Sequence, residues 1–440
     1  MRTAKLLTAA VLWSGVSLVH ASGNDVWEQM NFEGRALVAI SDADMQATAY
    51  ATGQLNPLAD QEDALSLISF PKAGSAPVIA SIKASNSVVS WPQVVALSPD
   101  QALAYVIETR AAPKQSLKAV SSVFTGLPTG TTLSVFDISR VDKPRHIKRI
   151  AVADNPGSIT ISPDGKWLVI NAGPAGNELY LVPTRSGKLG KPIQITNLPS
   201  SMQEQGIGSV QWHPTQPVLA INSGNKQLGF YKLKITRGKK AELQSLGKAL
   251  EVGTFITSGE FTPDGKFFVI TDGKWGTSQS SFLLNPRGDL ISIKFDINGQ
   301  HSVVSKAEVG LSPEGFAMNP AGTLLVAANM NRTYLPEAGI PGGPWPGVDH
   351  SSLSLVTLNP ESGELKTLDH YDFEGLLPES ATFDASGNYL AVAIFHMRED
   401  KQQRGVVEFW KVEQGSRPKL KATGAKVYLA RGVHDLELAK

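Results

Sequence analysis

The chain has 440 residues and no cysteine, and its 41 Lys and Arg residues nearly balance 40 Asp and Glu residues. A net charge of +1 excludes a global field that would recruit nucleic acid or an anionic membrane. The missing thiols exclude disulfides, thiolate catalysis and cysteine-held metals, and the 40 Gly and 27 Pro residues indicate a globular chain with many turns.

The N-terminal residues have the pattern of a secretory signal. Arg2 and Lys5 precede an apolar stretch over residues 6–19, and Val19 and Ala21 place small residues at the −3 and −1 positions of a cleavage site. The apolar stretch is shorter than the ~20 residues that a bilayer-spanning helix needs, which disfavours a signal anchor. We therefore predict removal of residues 1–21, a single mature domain over residues 22–440, no membrane span and a periplasmic or secreted location.

A turn between two strands recurs six times along the mature chain. The turn resembles Ser/Thr-Pro-Asp-Gly, in which Pro presets φ, Asp bonds the local backbone and Gly accepts positive φ. A second strand pair follows each turn, for example residues 133–138 with 146–152, so each repeat supplies the four strands of one propeller blade. The anchor residues of the turns, 49 to 65 positions apart, are Pro99, Pro163, Pro214, Pro263, Pro320 and Ala385.

The two ends of the chain are predicted to share a seventh blade. Residues 432–438 look like an innermost strand without a partner, and residues 35–40 look like a second strand without a first. A hairpin at residues 64–69 and 77–82 supplies the two outer strands. Joining the chain ends in one blade removes a free sheet edge. The prediction is an all-β, seven-bladed β-propeller with four-stranded antiparallel blades, closed by the C-terminal strand on three N-terminal strands.

The repeats Ser-Pro-Asp-Gly-Lys at residues 162–166 and Thr-Pro-Asp-Gly-Lys at residues 262–266 resemble those of bacterial YVTN-type and lactonase-like seven-bladed propellers. The resemblance covers essentially the whole mature chain. It implies a propeller fold but does not identify an activity, since similar repeats also occur in the propellers of TolB-like periplasmic proteins, which bind partners. The lactonases of this group typically carry Gly-Pro-Arg-His on an inner strand. The nearest equivalents in this chain, Ser-Pro-Glu-Gly at 312–315 and Leu-Pro-Glu-Ser at 377–380, have acid where the lactonases have base.

Long loops between second and third strands are predicted to share a face with the starts of the innermost strands. Three of these loops span residues 108–130, 272–288 and 329–350, and a charged fourth spans residues 396–403. Such loops either pack over the channel or form a recognition surface. The candidate ligand-binding residues that they carry are Trp275, Arg332, Tyr334 and Trp345. His213 falls in a turn on the opposite face and is predicted to be solvated.

A ring of side chains is predicted at one level of the channel mouth. The positions six residues before the anchors are Gln93, Gly157, Gly208, Thr257, Glu314 and Glu379, and alignment of the closing strand adds His434. We predict that Glu314, Glu379 and His434 hold a divalent cation or a cationic ligand group, with Gln93 beside them. The alternative is a water-filled channel in which the glutamates accept backbone N–H bonds from the next blade.

Three functions remain open from the sequence. The first is an exported, monomeric propeller that binds a small-molecule ligand or a periplasmic protein on its loop-rich face, with a divalent cation as the possible cofactor. The second is a lactonase-like or metal-assisted hydrolase, and the third is a structural assembly module. The sequence has no zinc helix, P-loop, nucleophile elbow or dinucleotide-binding glycine motif.

Overall fold

The computed structural model describes residues 25–440, except residues 88, 174, 175, 177, 237–239, 277, 279, 280, 282, 283 and 340–345. The predicted signal at residues 1–21 and the candidate residue Trp345 lie outside the described part. The short helices are α1 (Asp25–Glu28), α2 (Ala49–Thr52), α3 (Val123–Gly126) and α4 (Ser200–Gln205). No helix in the described part is long and apolar enough to cross a membrane.

The strands form seven antiparallel sheets, which are the blades of a propeller. Blade 1 contains β1 (Ala36–Ser41), β2 (Ala64–Ser69), β3 (Val78–Lys83) and β30 (Val433–Ala439). Blade 2 contains β4 (Val95–Leu97), β5 (Leu103–Ile107), β6 (Thr132–Asp137) and β7 (Arg145–Ala151). Blade 3 contains β8 (Ser158–Ile161), β9 (Trp167–Asn171), β10 (Leu179–Arg185), β11 (Lys188–Leu189) and β12 (Ile193–Gln194). Blade 4 contains β13 (Ile207–Trp212), β14 (Val218–Ser223), β15 (Gln227–Ile235), β16 (Ala241–Ser245) and β17 (Leu250–Glu251).

The remaining three blades each have four strands. Blade 5 contains β18 (Ile256–Phe261), β19 (Phe267–Asp272), β20 (Arg287–Lys294) and β21 (Ser302–Leu311). Blade 6 contains β22 (Pro313–Met318), β23 (Leu324–Asn329), β24 (His350–Leu358) and β25 (Leu365–Glu374). Blade 7 contains β26 (Ala381–Phe383), β27 (Tyr389–Ile394), β28 (Gly405–Glu413) and β29 (Lys419–Leu429). The predicted seven-bladed fold is confirmed, although two short segments share the outermost position in blades 3 and 4.

Burial explains the residue types of the strands. The second strand of a blade is covered on both faces by its neighbours, so β19 is buried throughout and reads as Phe-Phe-Val-Ile-Thr-Asp. The outermost strand faces solvent, so β7 is exposed over most of its length and reads as Arg-His-Ile-Lys-Arg-Ile-Ala. The seven innermost strands follow one another around a central channel in the order β30, β4, β8, β13, β18, β22 and β26.

Blade 1 closes the ring as predicted. Strand β30 pairs antiparallel with β1, with Leu438 opposite Leu37 and Leu436 opposite Ala39. The Arg35 N–H donates to the Ala439 carbonyl at 2.8 Å, which extends the pairing by one residue. Aromatic rings pack across the seam with blade 7, where Phe409 meets Phe32 edge-on at 5.4 Å between centroids. The joined ends therefore have both hydrogen bonds and apolar packing to hold the ring shut.

The repeated turns use their polar residues locally. In the blade 3 turn the Ser162 hydroxyl donates to the Asp164 carboxylate at 2.7 Å, and Gly165 has a φ of 68°. Thr262 and Asp264 repeat the arrangement in blade 5 with a 2.7 Å bond. Asp164 and Asp264 also accept the backbone N–H groups of Lys166 and Lys266 at 3.1 Å each, so they bond the backbone of their own turns, as the sequence predicted.

The prediction of a solvated His213 is wrong. Its side chain is 2% exposed and its ring packs against Phe261 and Phe295, with centroids 4.7 and 5.0 Å away. Its Nδ1 accepts the backbone N–H of Thr215 at 3.1 Å. The Gly265 turn of the next blade covers the ring, because a Cβ at Gly265 would lie 2.4 Å from His213 Nε2. His213 is therefore a structural residue between two blades.

Candidate functional site

A cavity of about 370 Å³ opens at the channel mouth on the loop-rich face, and all seven blades contribute to its lining. We call it the upper cavity. Three of the four loops singled out from the sequence supply lining residues, and the 396–403 loop supplies none within the described part. The side chains that bear on its chemistry are Tyr50, Trp91, Arg110, Phe124, Asn155, Asn171, Phe255, Trp275, Glu314, Tyr334 and Glu379.

A backbone turn recurs just before the residues at the ring level of the channel mouth. The residue two positions before the ring level has a positive φ in five blades, at Asn155, Gly206, Ser312, Leu377 and Gly432. For Ser312 and Leu377, with φ values of 53° and 49°, this left-handed backbone costs about 1 kcal/mol or more. In both cases a proline follows and then the glutamate. The fold thus sustains local strain where it sets the direction of Glu314 and Glu379.

Glu314 and Glu379 form the acidic base of the cavity. Both side chains are buried, at 6% and 1% exposure. Burial raises the pKa of Glu314 from 4.5 to about 8. Burial, and then the neighbouring charge of Glu314, raise the pKa of Glu379 well above its ordinary value. At neutral pH the two carboxyl groups therefore hold at least one proton between them.

Few protein groups compensate these two acids. The Glu379 Oε2 atom is buried without a hydrogen-bond partner, and no described side chain donates to the Glu314 carboxyl. The Glu314 backbone carbonyl is occupied, since it accepts the hydroxyls of Thr257 and Ser258 at 2.8 Å each. Those bonds fix the backbone of β22 against blade 5 and leave the carboxyl group available to a ligand.

Aromatic rings form the walls of the upper cavity. Trp91 and Trp275 are stacked with 6.3 Å between centroids and 7° between planes. Phe255 meets both edge-on, 6.1 Å from Trp91 and 5.6 Å from Trp275. These contacts hold the three rings rigidly in one wall. The charges of Glu379 and Glu314 also add to the effect of burial in raising the pKa of Tyr50, which places the phenol close to the acidic base.

Two further polar residues reach the cavity. The Arg110 guanidinium donates to the Phe124 carbonyl at 2.7 Å, and burial lowers its pKa. Tyr334 is hydrogen-bonded through its hydroxyl to Ser312 Oγ at 3.1 Å, so the strained turn before Glu314 is tied to the wall. The cavity therefore combines aromatic walls, an acidic base and one guanidinium.

Gln93 reaches across the channel and does not line the upper cavity. Its Nε2 donates to the Gly259 carbonyl at 3.1 Å, from blade 2 to blade 5 on the other side of the ring. Gln93 lines a second cavity of about 520 Å³ on the opposite side, the lower cavity, whose other lining residues include Glu260 and Glu437. Burial raises the pKa of both of these glutamates.

The structure brings together some of the predicted site residues. Glu314, Glu379, Trp275 and Tyr334 line the upper cavity, whereas Gln93 lines the lower one. Arg332 is half-buried and does not line the upper cavity, although its charge acts on Tyr334 and lowers the pKa of that phenol against the larger effect of burial.

His434 is fully buried at the start of β30. Its Nδ1 hydrogen-bonds the Gly432 carbonyl at 2.9 Å, so Nδ1 carries the proton and Nε2, which has no partner, is left as an acceptor. Within the described residues, three ligand-type side chains bring donor atoms within 4.8 Å of one another at Asp42, Asp44 and Asp63, and not at Glu314, Glu379 and His434.

Sequence reasoning missed most of the aromatic wall. Trp91 and Phe255 stand two positions before the ring level in blades 2 and 5, where five other blades have a positive-φ residue. Glu314 and Glu379 stand six residues before their anchor residues. Trp91 and Phe255 stand eight residues before the anchors Pro99 and Pro263, so the same count extended by two residues finds both rings. Tyr50 lies in the long β1–β2 connection of blade 1, a loop of the same class as those singled out.

Comparisons with known proteins identify the fold. No protein family model and no curated protein sequence matches the chain. Among solved structures, a periplasmic gluconolactonase from Pseudomonas aeruginosa is similar, with 15% identity, a TM-score of 0.63 and coverage of 92% of this chain and 99% of that one. A putative 6-phosphogluconolactonase from Bacteroides fragilis has 15% identity, a TM-score of 0.61 and coverage of 92% and 98%. A protein from Lactobacillus plantarum has 13% identity, a TM-score of 0.56 and coverage of 93% and 100%. The chain therefore shares the fold of lactonase-like seven-bladed propellers.

Proposed function

We propose that the protein binds a small organic ligand in the upper cavity, and that this ligand combines a flat apolar part with a cationic or hydrogen-bond-donating group. The observation that carries the proposal is a buried pair of glutamates at the base of an aromatic-walled cavity. A volume of about 370 Å³ lies at the low end of small-molecule sites, which favours a metabolite-sized ligand over a folded protein domain.

The walls account for the flat apolar part of the ligand. Trp91, Phe255 and Trp275 present fixed ring surfaces, so a flat group stacks on them without ordering flexible side chains. A cation placed over these rings also gains from their negative faces.

The base accounts for the cationic or donor group. An ammonium group beside Glu314 and Glu379 supplies donors to carboxyl oxygens that have few protein partners, and it favours their ionised form. Binding at neutral pH should then release the proton that the pair holds. A neutral ligand of the same shape should not release this proton when it binds.

A lactonase-like hydrolase is the second candidate. The pair of acids supports it, because a carboxyl group whose pKa is raised toward neutral pH, as that of Glu314 is, can serve as a general acid or a general base. The shared fold with a gluconolactonase adds weight. Against it stands the shortage of positive groups at the base, where a lactone carbonyl would develop negative charge. A divalent cation held by Glu314, Glu379 and His434 is the remaining alternative.

We place this function outside the cytoplasm. The signal predicted at residues 1–21 supports export, and one structural neighbour is a periplasmic protein. The ligand would then be a compound met in the periplasm or secreted environment.

The test compares the binding of phenethylamine and of its neutral isostere 2-phenylethanol to the mature protein. Binding is measured by quenching of tryptophan fluorescence and by calorimetry. We expect the amine to bind more tightly, to quench fluorescence and to release protons. Glu314→Gln and Glu379→Gln should weaken amine binding at least about tenfold. Glu260→Gln is the matched control, because Glu260 also has a raised pKa but lies in the lower cavity beyond Gln93.

The outcomes separate the candidates. Equal affinity for the amine and the alcohol, or an equal loss in the control variant, contradicts the proposal. Binding of neither probe, together with hydrolysis of glucono-δ-lactone that depends on Glu314, establishes the hydrolase instead. If binding or hydrolysis requires Ca²⁺ or Zn²⁺ in wild type, and this requirement disappears in Glu379→Gln, the metal-bound alternative is established.

A further inference from the structure

A second group of acids lies at the loop-rich end of blade 1, outside the upper cavity. Asp42 follows β1 and Asp63 precedes β2, and these two side chains are 0% and 5% exposed. Together with Asp44 they bring carboxylate oxygens within 4.8 Å of one another. We propose that these three aspartates bind a divalent cation of the calcium class, which fixes the blade that closes the ring.

One arginine is buried beside this cluster, and its charge acts on Asp42 and Asp44. Arg431 is fully buried beside it, but its donors go to uncharged oxygens: Ala43 O at 2.7 Å, Asn56 O at 3.0 Å and Gln403 Oε1 at 2.8 Å. No ion pair from the described residues reaches Asp44 or Asp63 within 4.0 Å. Like charges held this close require a cation or a proton between them.

A buried amide oxygen beside the cluster points independently to a ligand. Asn86 is fully buried, and its Nδ2 donates to the carbonyls of Ser41 and Ala84 at 3.0 Å each. Rotating the amide would place its oxygen against those two carbonyls, so the assignment is fixed. Its Oδ1 then has no partner, and neither has the Oγ of Ser41, the residue before Asp42. The Asn86 backbone N–H donates to Asp63 Oδ2 at 3.3 Å, which holds this amide at the cluster.

The backbone holds the carboxylates in place without neutralising them. The Asp44 N–H donates to Asp42 Oδ1 at 2.9 Å, and the Ala43 N–H donates to Asp63 Oδ1 at 3.0 Å. Each oxygen keeps a second lone pair for a cation. The three carboxylates that lie within 4.8 Å of one another are oxygen ligands, which suit Ca²⁺ with its preference for six to eight oxygens.

The position of the cluster gives the cation a structural role. The Asp42 N–H donates to the Gly432 carbonyl at 2.9 Å, immediately before β30. Gly432 lies so close that an added Cβ would stand 1.8 Å from the Asp42 carbonyl oxygen. A cation on Asp42 and Asp63 therefore joins the end of β1 to the start of β2 at the point where the C-terminal strand enters the ring. Its loss should loosen ring closure before it affects any other blade.

The experiment uses the full mature chain, freed of metal by chelator and titrated with CaCl₂ by calorimetry and by thermal denaturation. We expect one Ca²⁺ per chain and a melting temperature that rises with Ca²⁺ concentration. Asp44→Asn should weaken binding at least about tenfold, because it removes one ligand charge and breaks no side-chain hydrogen bond of the described residues. The same variant without metal should melt no lower than wild type, since it relieves repulsion among the acids.

Asp60→Asn is the matched control, because Asp60 lies in the same β1–β2 connection but is exposed. It should bind Ca²⁺ as wild type does. Asp63→Asn gives a second reading of the site if Asp44→Asn is poorly folded. The proposal is overturned if wild type shows neither binding heat nor a melting shift up to 10 mM Ca²⁺, or if both cluster variants bind as tightly as wild type. It is equally overturned if Glu314→Gln abolishes binding and Asp44→Asn does not, since the metal would then be in the upper cavity.

Discussion

Replacing Glu314 with Gln should make the protein more stable at alkaline pH and leave it unchanged at acid pH. A carboxyl group whose pKa is higher in the folded chain than in the unfolded chain keeps its proton longer in the folded state. The associated stability is fully present below the unfolded pKa of 4.5 and is lost as the pH rises to about 8, the value in the folded chain. Gln mimics the protonated acid and cannot ionise, so the variant escapes this loss.

The structure sets the size of the effect. A rise in pKa from 4.5 to about 8 corresponds to a loss of at most ~5 kcal/mol above pH 8, at ~1.4 kcal/mol per pKa unit. Glu379 shares the burial and the proton, so we expect ~2 to 4 kcal/mol for the single substitution. With an unfolding entropy of ~2.1 cal/mol/K per residue over ~420 residues, this is a rise in melting temperature of ~2 to 4 °C.

The assay is thermal denaturation of wild type and Glu314→Gln at pH 5 and pH 8.5, with chelator present in every sample so that bound cations do not contribute. Glu361→Gln is the control for a simple change of charge, because the Glu361 side chain is 85% exposed. The difference in melting temperature between Glu314→Gln and wild type should be positive at pH 8.5 and only about a fifth as large at pH 5, which lies just above the unfolded pKa of 4.5. An equal difference at the two pH values, or a variant that is less stable at pH 8.5, refutes a buried and partly protonated Glu314.

Three further predictions concern binding, closure and catalysis. Trp91→Ala should weaken phenethylamine binding by ~1 to 3 kcal/mol in calorimetry, because it removes one stacked ring of the wall; unchanged affinity would place the ligand elsewhere. A chain that ends at Ala430 lacks β30, exposes the edge of β1 and should aggregate or lose its cooperative transition, whereas removal of the exposed Lys440 alone should not. Purified protein should not open simple sugar lactones at useful rates in a pH-stat assay, and robust turnover that is lost in Glu314→Gln or Glu379→Gln would reverse that reading.

The fold was accessible from the sequence because it repeats. Each turn around Pro163 or Pro263 fixes local backbone geometry through residues next to one another in the chain, and six copies give the blade spacing directly. Closure followed from counting strands, since residues 432–438 and 35–40 each lacked a partner. The observed strands, Val433–Ala439 and Ala36–Ser41, are displaced from those ranges by one residue.

The upper cavity was only partly accessible. Glu314 and Glu379 could be placed because they stand at a fixed distance from an anchor turn, and the structure lines the cavity with both. Gln93 stands at the same distance in the chain but reaches across the channel to Gly259, a choice made by tertiary contacts that no local pattern encodes. Burial of His213 likewise depends on Gly265 and Phe295 of the neighbouring blade, which the sequence around His213 does not show.

The acidic cluster of blade 1 illustrates a signal that the predicted topology already contained. Antiparallel pairing of β1 with β2 puts Ser41 opposite Ala64. The next residues outward, Asp42 and Asp63, must therefore be neighbours for any conformation of the connection between them. The 42–63 connection can therefore vary in length without separating the two carboxylates. Because β30 enters the ring through the Gly432 contact with Asp42, the same pair of acids must also sit at the seam. A cation there would stabilise the one blade whose strands come from opposite ends of the chain, where the entropic cost of bringing strands together is greatest.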